Sequence, residues 1–329
     1  MSANSSQSGM SLDIYAAVDL GSNSFRLEIA RFVDGQIQRV HYWKETVRLG
    51  GGLDAQRQLS LESMQKGWDC LAQFAQHLRG FTRAQVRAVA TQTLREARNR
   101  DIFIQRANAI LGHPIEVISG PTEAQLIYQG VSYLLPQDHT PRLVIDIGGR
   151  STEIILGVDH QVQLAHSIAM GSVSWSMAHF HTGELSEAAF AGAEFTAQAV
   201  LEATRMGIQP DQWQVAYGAS GTMGAVAKVL AQAGGEPDCI TLDAVRWLRQ
   251  NLIAYGHVDH IRLDGLKKDR RAVIGGGLSL LHALMMHLKI DALQIAPGAL
   301  RHGVLFDRYQ SAMGIEARTP NGVASSPIV

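Results

Sequence analysis

Cysteine is scarce: Cys70 and Cys239 are the only two in 329 residues, and they stand far apart. That excludes a disulfide framework and a cysteine metal cluster, and their apolar surroundings read as buried free thiols in a reducing cytosol. Aromatic residues reach only 6% and do not interleave with basic ones, so nothing supports a nucleic-acid surface. The net charge is −1, so no global field attracts a polyanion, and an anionic partner must be met by local positive charge. No run of 18 apolar residues is present, so no membrane span is expected. The Ser-rich start lacks the basic and apolar regions of a signal peptide. There is no Walker A pattern, no dinucleotide GxGxxG and no nucleophile elbow. What remains is a cytoplasmic chain, 46% hydrophobic and 18% charged, with core enough for two domains of ordinary size.

What is present, twice, is one short pattern. Ala17-Val18-Asp19-Leu20-Gly21-Ser22-Asn23-Ser24-Phe25-Arg26-Leu27 returns as Val144-Ile145-Asp146-Ile147-Gly148-Gly149-Arg150-Ser151-Thr152-Glu153-Ile154. Each copy is an apolar strand, an Asp, a small-residue turn with hydroxyls, and a second apolar strand. Two such copies predict two similar halves, each aiming a carboxylate and a row of backbone N–H groups into a shared cleft.

The elements around the copies agree. Asp34-Gly35 predicts a hairpin turn into a third strand over 36–42, and Asp159-His160 predicts the same before a strand over 161–166. Apolar spacing predicts helices over 60–79, 93–111, 122–133, 186–206, 241–254, 275–287 and 299–309, with short strands at 86–90, 115–118 and 215–217. The fold class is α/β, each half opening with an antiparallel meander and then alternating helices and strands. The expected division is a disordered start over 1–11, domains over 12–128 and 129–312, and a disordered tail over 313–329. The last helix is expected to pack back on the first domain. Pro136 to Pro141 reads as the connector.

The chemistry concentrates in the turns. Gly21, Ser22, Asn23 and Ser24 in one copy, and Gly148, Gly149, Arg150, Ser151 and Thr152 in the other, can converge N–H and hydroxyl donors on anionic oxygen. A hairpin favours the same residues for conformational reasons alone, but two matching copies favour the phosphate reading. Gly218, Ser220, Gly221 and Thr222 form a third such turn at a helix start. Asp19, Asp146 and Glu153 sit at strand ends beside these cradles and suit Mg²⁺, which takes one or two carboxylates plus phosphate oxygens and water. Glu123 falls in the first turn of a helix and reads either as a routine N-terminal Glu or as a base for water. Arg95, just inside a helix where a cation is disfavoured, points to an anionic partner. The run Lys267-Lys268-Asp269-Arg270-Arg271 reads either as a solvated helix face or as part of an anion funnel. His257 and His260 have metal spacing without nearby cysteine or carboxylate clustering.

These residues together resemble the exopolyphosphatase/guanosine pentaphosphate phosphohydrolase family, of the actin-like, sugar kinase and Hsp70 ATPase superfold. AAVDLGSNSFRL, ATQTLREARN, ISGPTEAQLIYQGV, LVIDIGGRSTEIILG, YGASGT and GALRHGVLFD occur in order from Tyr15 to Tyr309. The resemblance implies a Mg²⁺-assisted hydrolase that releases terminal phosphate from inorganic polyphosphate or the 5′ γ-phosphate of guanosine pentaphosphate. It puts the family's catalytic Glu on Glu123, its carboxylates on Asp146 and Glu153, and its phosphate-contacting Arg on Arg95. A homodimer is implied by likeness only. The departures are Thr122 for the first of two glutamates, Arg150 for the third Gly of a GGGST turn, and Pro297 and His302 for acidic residues. Arg150 is expected either to reach into the cleft or to obstruct it, with a strain cost if the turn needs φ > 0. The length resembles the short two-domain class. The alternatives are a polyphosphate or alarmone sensor without turnover, and an ATP-dependent kinase of the same superfold.

Overall fold

The computed structural model describes residues 14–314. The expectations for 1–11 and most of 313–329 lie outside the described residues. The first half runs β1 (Ile14–Leu20), β2 (Phe25–Val33), β3 (Gln36–Glu45), α1 (Leu61–His77), β4 (Val86–Ala90), α2 (Gln92–Glu96), α3 (Arg100–Leu111), β5 (Ile115–Val117) and α4 (Gly120–Ser132). The second runs β6 (Pro141–Ile147), β7 (Thr152–Val158), β8 (Gln161–Ile168), α5 (Ser172–His179), α6 (Glu187–Thr204), β9 (Val215–Ala219), α7 (Ser220–Gln232), β10 (Cys239–Thr241), α8 (Leu242–Tyr255), α9 (Arg271–Leu288), β11 (Ala292–Ile295) and α10 (Leu300–Ala312).

The duplication holds in three dimensions. The first sheet has the order β3-β2-β1-β4-β5 and the second β8-β7-β6-β9-β11-β10. In each, the first three strands are an antiparallel meander and the next adds parallel to the first. Asp34 and Gly35 both take positive φ at the β2–β3 hairpin, and Asp159 does so between β7 and β8.

Both faces of each central strand are buried, so apolar residues fill most of each strand up to the Asp near its end. Along β1, Ala16, Val18 and Leu20 enter the core under α1 and α3, while Tyr15 and Ala17 face a layer between the two sheets. Along β6, Leu143, Ile145 and Ile147 enter the second core while Val144 faces the same middle layer. That layer is α4 and α10. α4 packs on β7 and β8, and α10, although last in the chain, lies on β1, β2 and β4. The two helices meet at glycines: a Cβ on Gly303 would stand 1.8 Å from the Leu126 carbonyl oxygen, and one on Gly130 2.3 Å from that of Ala299.

Three sequence expectations change. The helix expected over 93–111 is two, because Asn99 turns its amide to both backbone groups of Leu59 (2.9 and 3.0 Å) and Arg98 N–H goes to the Arg57 carbonyl. The division drawn between 128 and 129 falls inside α4. Cys239 is half-buried on the edge strand β10 rather than buried like Cys70. Lys268–Leu288 is long and apolar enough by composition to cross a membrane, but that does not make it a span. It is a core helix, with Leu278, Leu280, Leu281 and Leu284 fully buried, and burial on most sides explains its composition.

Candidate active site

The C-terminal ends of β1 and β6 point at one another across a cleft of about 280 Å³. Its floor is the pair of duplicated turns. A Cβ on Gly21 would lie 3.0 Å from the Ser24 carbonyl oxygen, and one on Gly148 would lie 3.0 Å from that of Ser151, so both turns fold back equally tightly. The turns abut, leaving 2.7 Å between a Cβ on Gly149 and that of Ser22. The third turn enters where β9 becomes α7. Ser220 holds φ at 88°, in the left-handed region, and its hydroxyl accepts from Thr222 N–H at 3.2 Å. Thr222 donates to the Ile147 carbonyl at 2.8 Å, tying the start of α7 to the end of β6. Gly21, Ser22, Asn23, Ser24, Gly148, Gly149, Ser151, Gly218, Ser220, Gly221 and Thr222 all line the cleft, as do Asp19, Glu123 and Asp146.

Four expected site residues lie behind that wall. Thr152 is buried and donates to the Met170 carbonyl at 2.6 Å. Glu153 accepts from the Ser167 hydroxyl at 2.8 Å. Arg95 stands in the last turn of α2, not the first, and donates to Glu123 at 2.7 Å and to the Ile118 carbonyl at 2.9 Å. Arg150 neither reaches into the cleft nor blocks it, nor is it at positive φ. It reaches the opposite half, to Glu96 at 2.7 Å. Thr122 meets the Ser119 hydroxyl at 2.8 Å, in the cap of α4.

The duplicated register gives the site its charge. Asp19 pairs across strands with Arg26, and Asp146 pairs with Glu153, the two second residues being equivalent in the repeat. Asp19 is thus neutralised by a 2.9 Å ion pair, whereas Asp146 faces a like charge. Burial, then Glu123, pushes the Asp146 carboxyl up to about 7. Burial, then Glu123 and Asp146, holds Glu153 well above the ordinary carboxylate range. Burial also raises Glu123, against the opposing charge of Arg95. Three buried carboxylates therefore share one region with too little positive charge.

The same cleft also carries a group of cations. Arg26, the partner of Asp19, lines it with Lys44 and Arg270. Partial burial, then Arg270 and Arg26, lowers the Lys44 ammonium to about 8. The loop that carries Arg270 is pinned to the first half by Asp269, which accepts from the Thr46 hydroxyl at 3.0 Å. Arg301 adds a further cation, and it and His302 contact the buried Glu28. The sequence reading missed Arg26, Lys44 and Arg301. The repeat carried a signal for Arg26, which takes the place that Glu153 has in the second copy, but Lys44 lies at the far end of a strand with no local mark. Of the basic run, Arg270 enters the cleft while Lys267 and Lys268 are exposed. His257 and His260 lie elsewhere, His257 being held by the Thr182 carbonyl at 3.1 Å.

With this geometry in view, the comparisons are direct. A profile of the Ppx/GppA phosphatase family matches residues 28–312. The chain belongs to that family. Its relatives include the guanosine-5′-triphosphate,3′-diphosphate pyrophosphatase of Vibrio vulnificus (strain YJ016), 41% identical over 97% of this chain and 64% of that one. The protein of the same name from Aeromonas salmonicida (strain A449) is 42% identical over 89% of this chain and 59% of that one. The chain thus spans less than two thirds of these relatives. Among solved structures, an exopolyphosphatase from Cytophaga hutchinsonii aligns with a TM-score of 0.81 at 23% identity, covering 91% of this chain and 98% of that one. An Aquifex aeolicus PPX-GPPA enzyme aligns with a TM-score of 0.74 at 23% identity, over 90% and 99%. These likenesses establish the fold, an α/β architecture with two duplicated sheets.

Proposed function

We propose that this protein is a phosphoanhydride hydrolase, removing the terminal phosphate from guanosine pentaphosphate or from inorganic polyphosphate. The observation that carries the reading is the mixed charge of the cleft. Glu123, Asp146 and Asp19 line it together with Arg26, Lys44 and Arg270 and three tight donor-bearing turns. A phosphate chain supplies negative charge for the cations. The relatives' name puts guanosine pentaphosphate first.

The carboxylates call for a cation, and Mg²⁺ is proposed. Among the described residues no group of three His, Cys, Asp or Glu side chains is placed to hold an ion alone. Mg²⁺ needs no such group, since it keeps waters and shares phosphate oxygens, and the donors here are hard oxygens short of positive charge. Asp146, with Asp19 beside it, would hold the ion at the cleft, and Glu153 would act from behind it. Bound there, Mg²⁺ would neutralise phosphate oxygens.

Glu123 is the base. Its oxygen accepts a proton from water as the water oxygen bonds to the terminal phosphorus. The bridging P–O bond breaks, and its electron pair leaves with the shortened chain. A carboxylate raised by burial is a better base at neutral pH than an exposed one. Arg26, Arg270 and the N-terminus of α7 stabilise the charge spread over the equatorial oxygens. The two departures that motivated a sensor, Thr122 and Arg150, make their contacts outside the cleft. The cytoplasmic setting suits the unpaired Cys70 and Cys239.

The test is phosphate release with Mg²⁺ from guanosine pentaphosphate, medium-chain polyphosphate and ATP in parallel. Release from either of the first two supports the proposal, and their ratio identifies the preferred substrate. Binding without release supports the sensor. ATP consumption that requires a second substrate supports the kinase.

A further inference from the structure

Arg150 belongs to the second half but is spent on the first. Its Nη2 and Nε donate to the same Glu96 oxygen, at 2.7 and 3.1 Å, and its Nη1 donates to the Gly50 carbonyl at 3.1 Å. The other Glu96 oxygen accepts from the Gln92 amide at 2.6 Å. The Gln92 carbonyl oxygen accepts twice from Arg95, at 2.6 and 2.9 Å. Arg95 then donates to Glu123 at 2.7 Å. An unbroken series of hydrogen bonds therefore runs from the second phosphate turn, through α2, to the carboxylate on α4.

The element in the middle cannot fix itself. α2 has five residues, with no side-chain cap at its start and a break at Ala97. So short a helix has almost no intrinsic stability and takes its orientation from what holds its side chains. Gly50 is itself a close-approach point, since a Cβ there would lie 2.9 Å from the Arg150 Cδ. The Arg150 side chain is 16% exposed and that of Glu96 18%, so water competes poorly for this pair.

We propose that Arg150 is a positioning residue, a clasp between the two halves that sets α2 and thereby holds Arg95 on Glu123. The contact between the halves and the orientation of the base are then coupled. The proposal rests on the reading of Glu123 as the base, and its test separates the two.

The test compares Arg150→Ala, Glu96→Gln and the double variant with the parent, with Mg²⁺ and guanosine pentaphosphate or tripolyphosphate, whichever the parent hydrolyses. kcat and KM are measured across pH 5 to 9, with Glu123→Gln as the control and thermal unfolding as the check on folding. Each single variant is expected to lower kcat about 10- to 100-fold, the loss that accompanies a misplaced catalytic group, with KM within about threefold of the parent. The acidic limb of the kcat profile is expected to move to higher pH, because Arg95 favours ionised Glu123 and a loosened α2 weakens that contact. The double variant is expected to be no worse than the worse single one, since both break one contact. Should Arg150→Ala unfold, Glu96→Gln, which keeps its shape, carries the same expectations. A change in KM alone, with kcat and the acidic limb unmoved, overturns the proposal in favour of substrate contact. Multiplying losses in the double variant also overturn it. Unchanged kinetics in both singles, with Glu123→Gln inactive, overturn the clasp and leave the base in place. Activity that survives Glu123→Gln overturns both.

Discussion

At Asp146, function and stability pull against each other. Its carboxyl, ordinarily near 3.8, is pushed up to about 7 by burial and then by Glu123. A raised folded-state value means that the folded chain binds the proton more tightly than the unfolded one between those limits. The stability it gives is complete below pH 4 and is lost as pH rises through 7. A shift of three units corresponds to about 4 kcal/mol, an upper bound because Glu123 and Glu153 share the same repulsion. Asp146→Asn removes the titration and keeps the shape. The free-energy difference between variant and parent should therefore move in the variant's favour by about 2–3 kcal/mol between pH 5 and pH 8. Urea unfolding of both proteins at the two pH values, with chelator present, measures it. At pH 8, added Mg²⁺ should stabilise the parent more than the variant, which should have lost hydrolysis. A difference that is the same at both pH values would refute the crowded-carboxylate account.

Lys44 gives the complementary prediction among the cations of the cleft. Its ammonium is lowered to about 8, and a bound anion favours the charged form, so substrate affinity should fall as pH rises past 8. Lys44→Met should raise KM several-fold below pH 8 and flatten that step, which KM measured from pH 7 to 9.5 would show. Gly303→Ala drives a methyl into the Leu126 carbonyl between α4 and α10 and should destabilise the fold by about 1–3 kcal/mol, read by urea unfolding.

The duplication was legible because it is written in local terms: an Asp, a tight turn and two apolar strands, each repeated in a short window. From it followed the two meanders, the two abutting turns, and Asp19 and Asp146 at the cleft; the turn at Gly218–Thr222 and Glu123 were read separately, each from the start of a helix. Pairings set by tertiary contact were not legible. Arg95 sits where a helix was expected to begin, but Asn99 folds onto Leu59 and ends that helix after five residues, so Arg95 turns to Glu123. Arg150 looked like a strained or grasping residue in its turn, and only its approach to Glu96, 54 positions away, shows what it holds. Lys44 and Arg301 enter the cleft because β3 extends to Glu45 and because α10 crosses back onto the first sheet. Neither has a sequence period that marks it. α5, β10 and β11 went unread because they are short and take their place from the sheet and helices that they pack on.

The measurement that bears most directly on the central claim is phosphate release by the Glu123→Gln variant, with binding of the same substrate measured alongside. The account predicts that turnover falls by several orders of magnitude while guanosine pentaphosphate or polyphosphate still binds, because the cations of the cleft and the three turns are untouched. Turnover close to that of the parent would contradict it, and would remove Glu123 from the chemistry of this cleft.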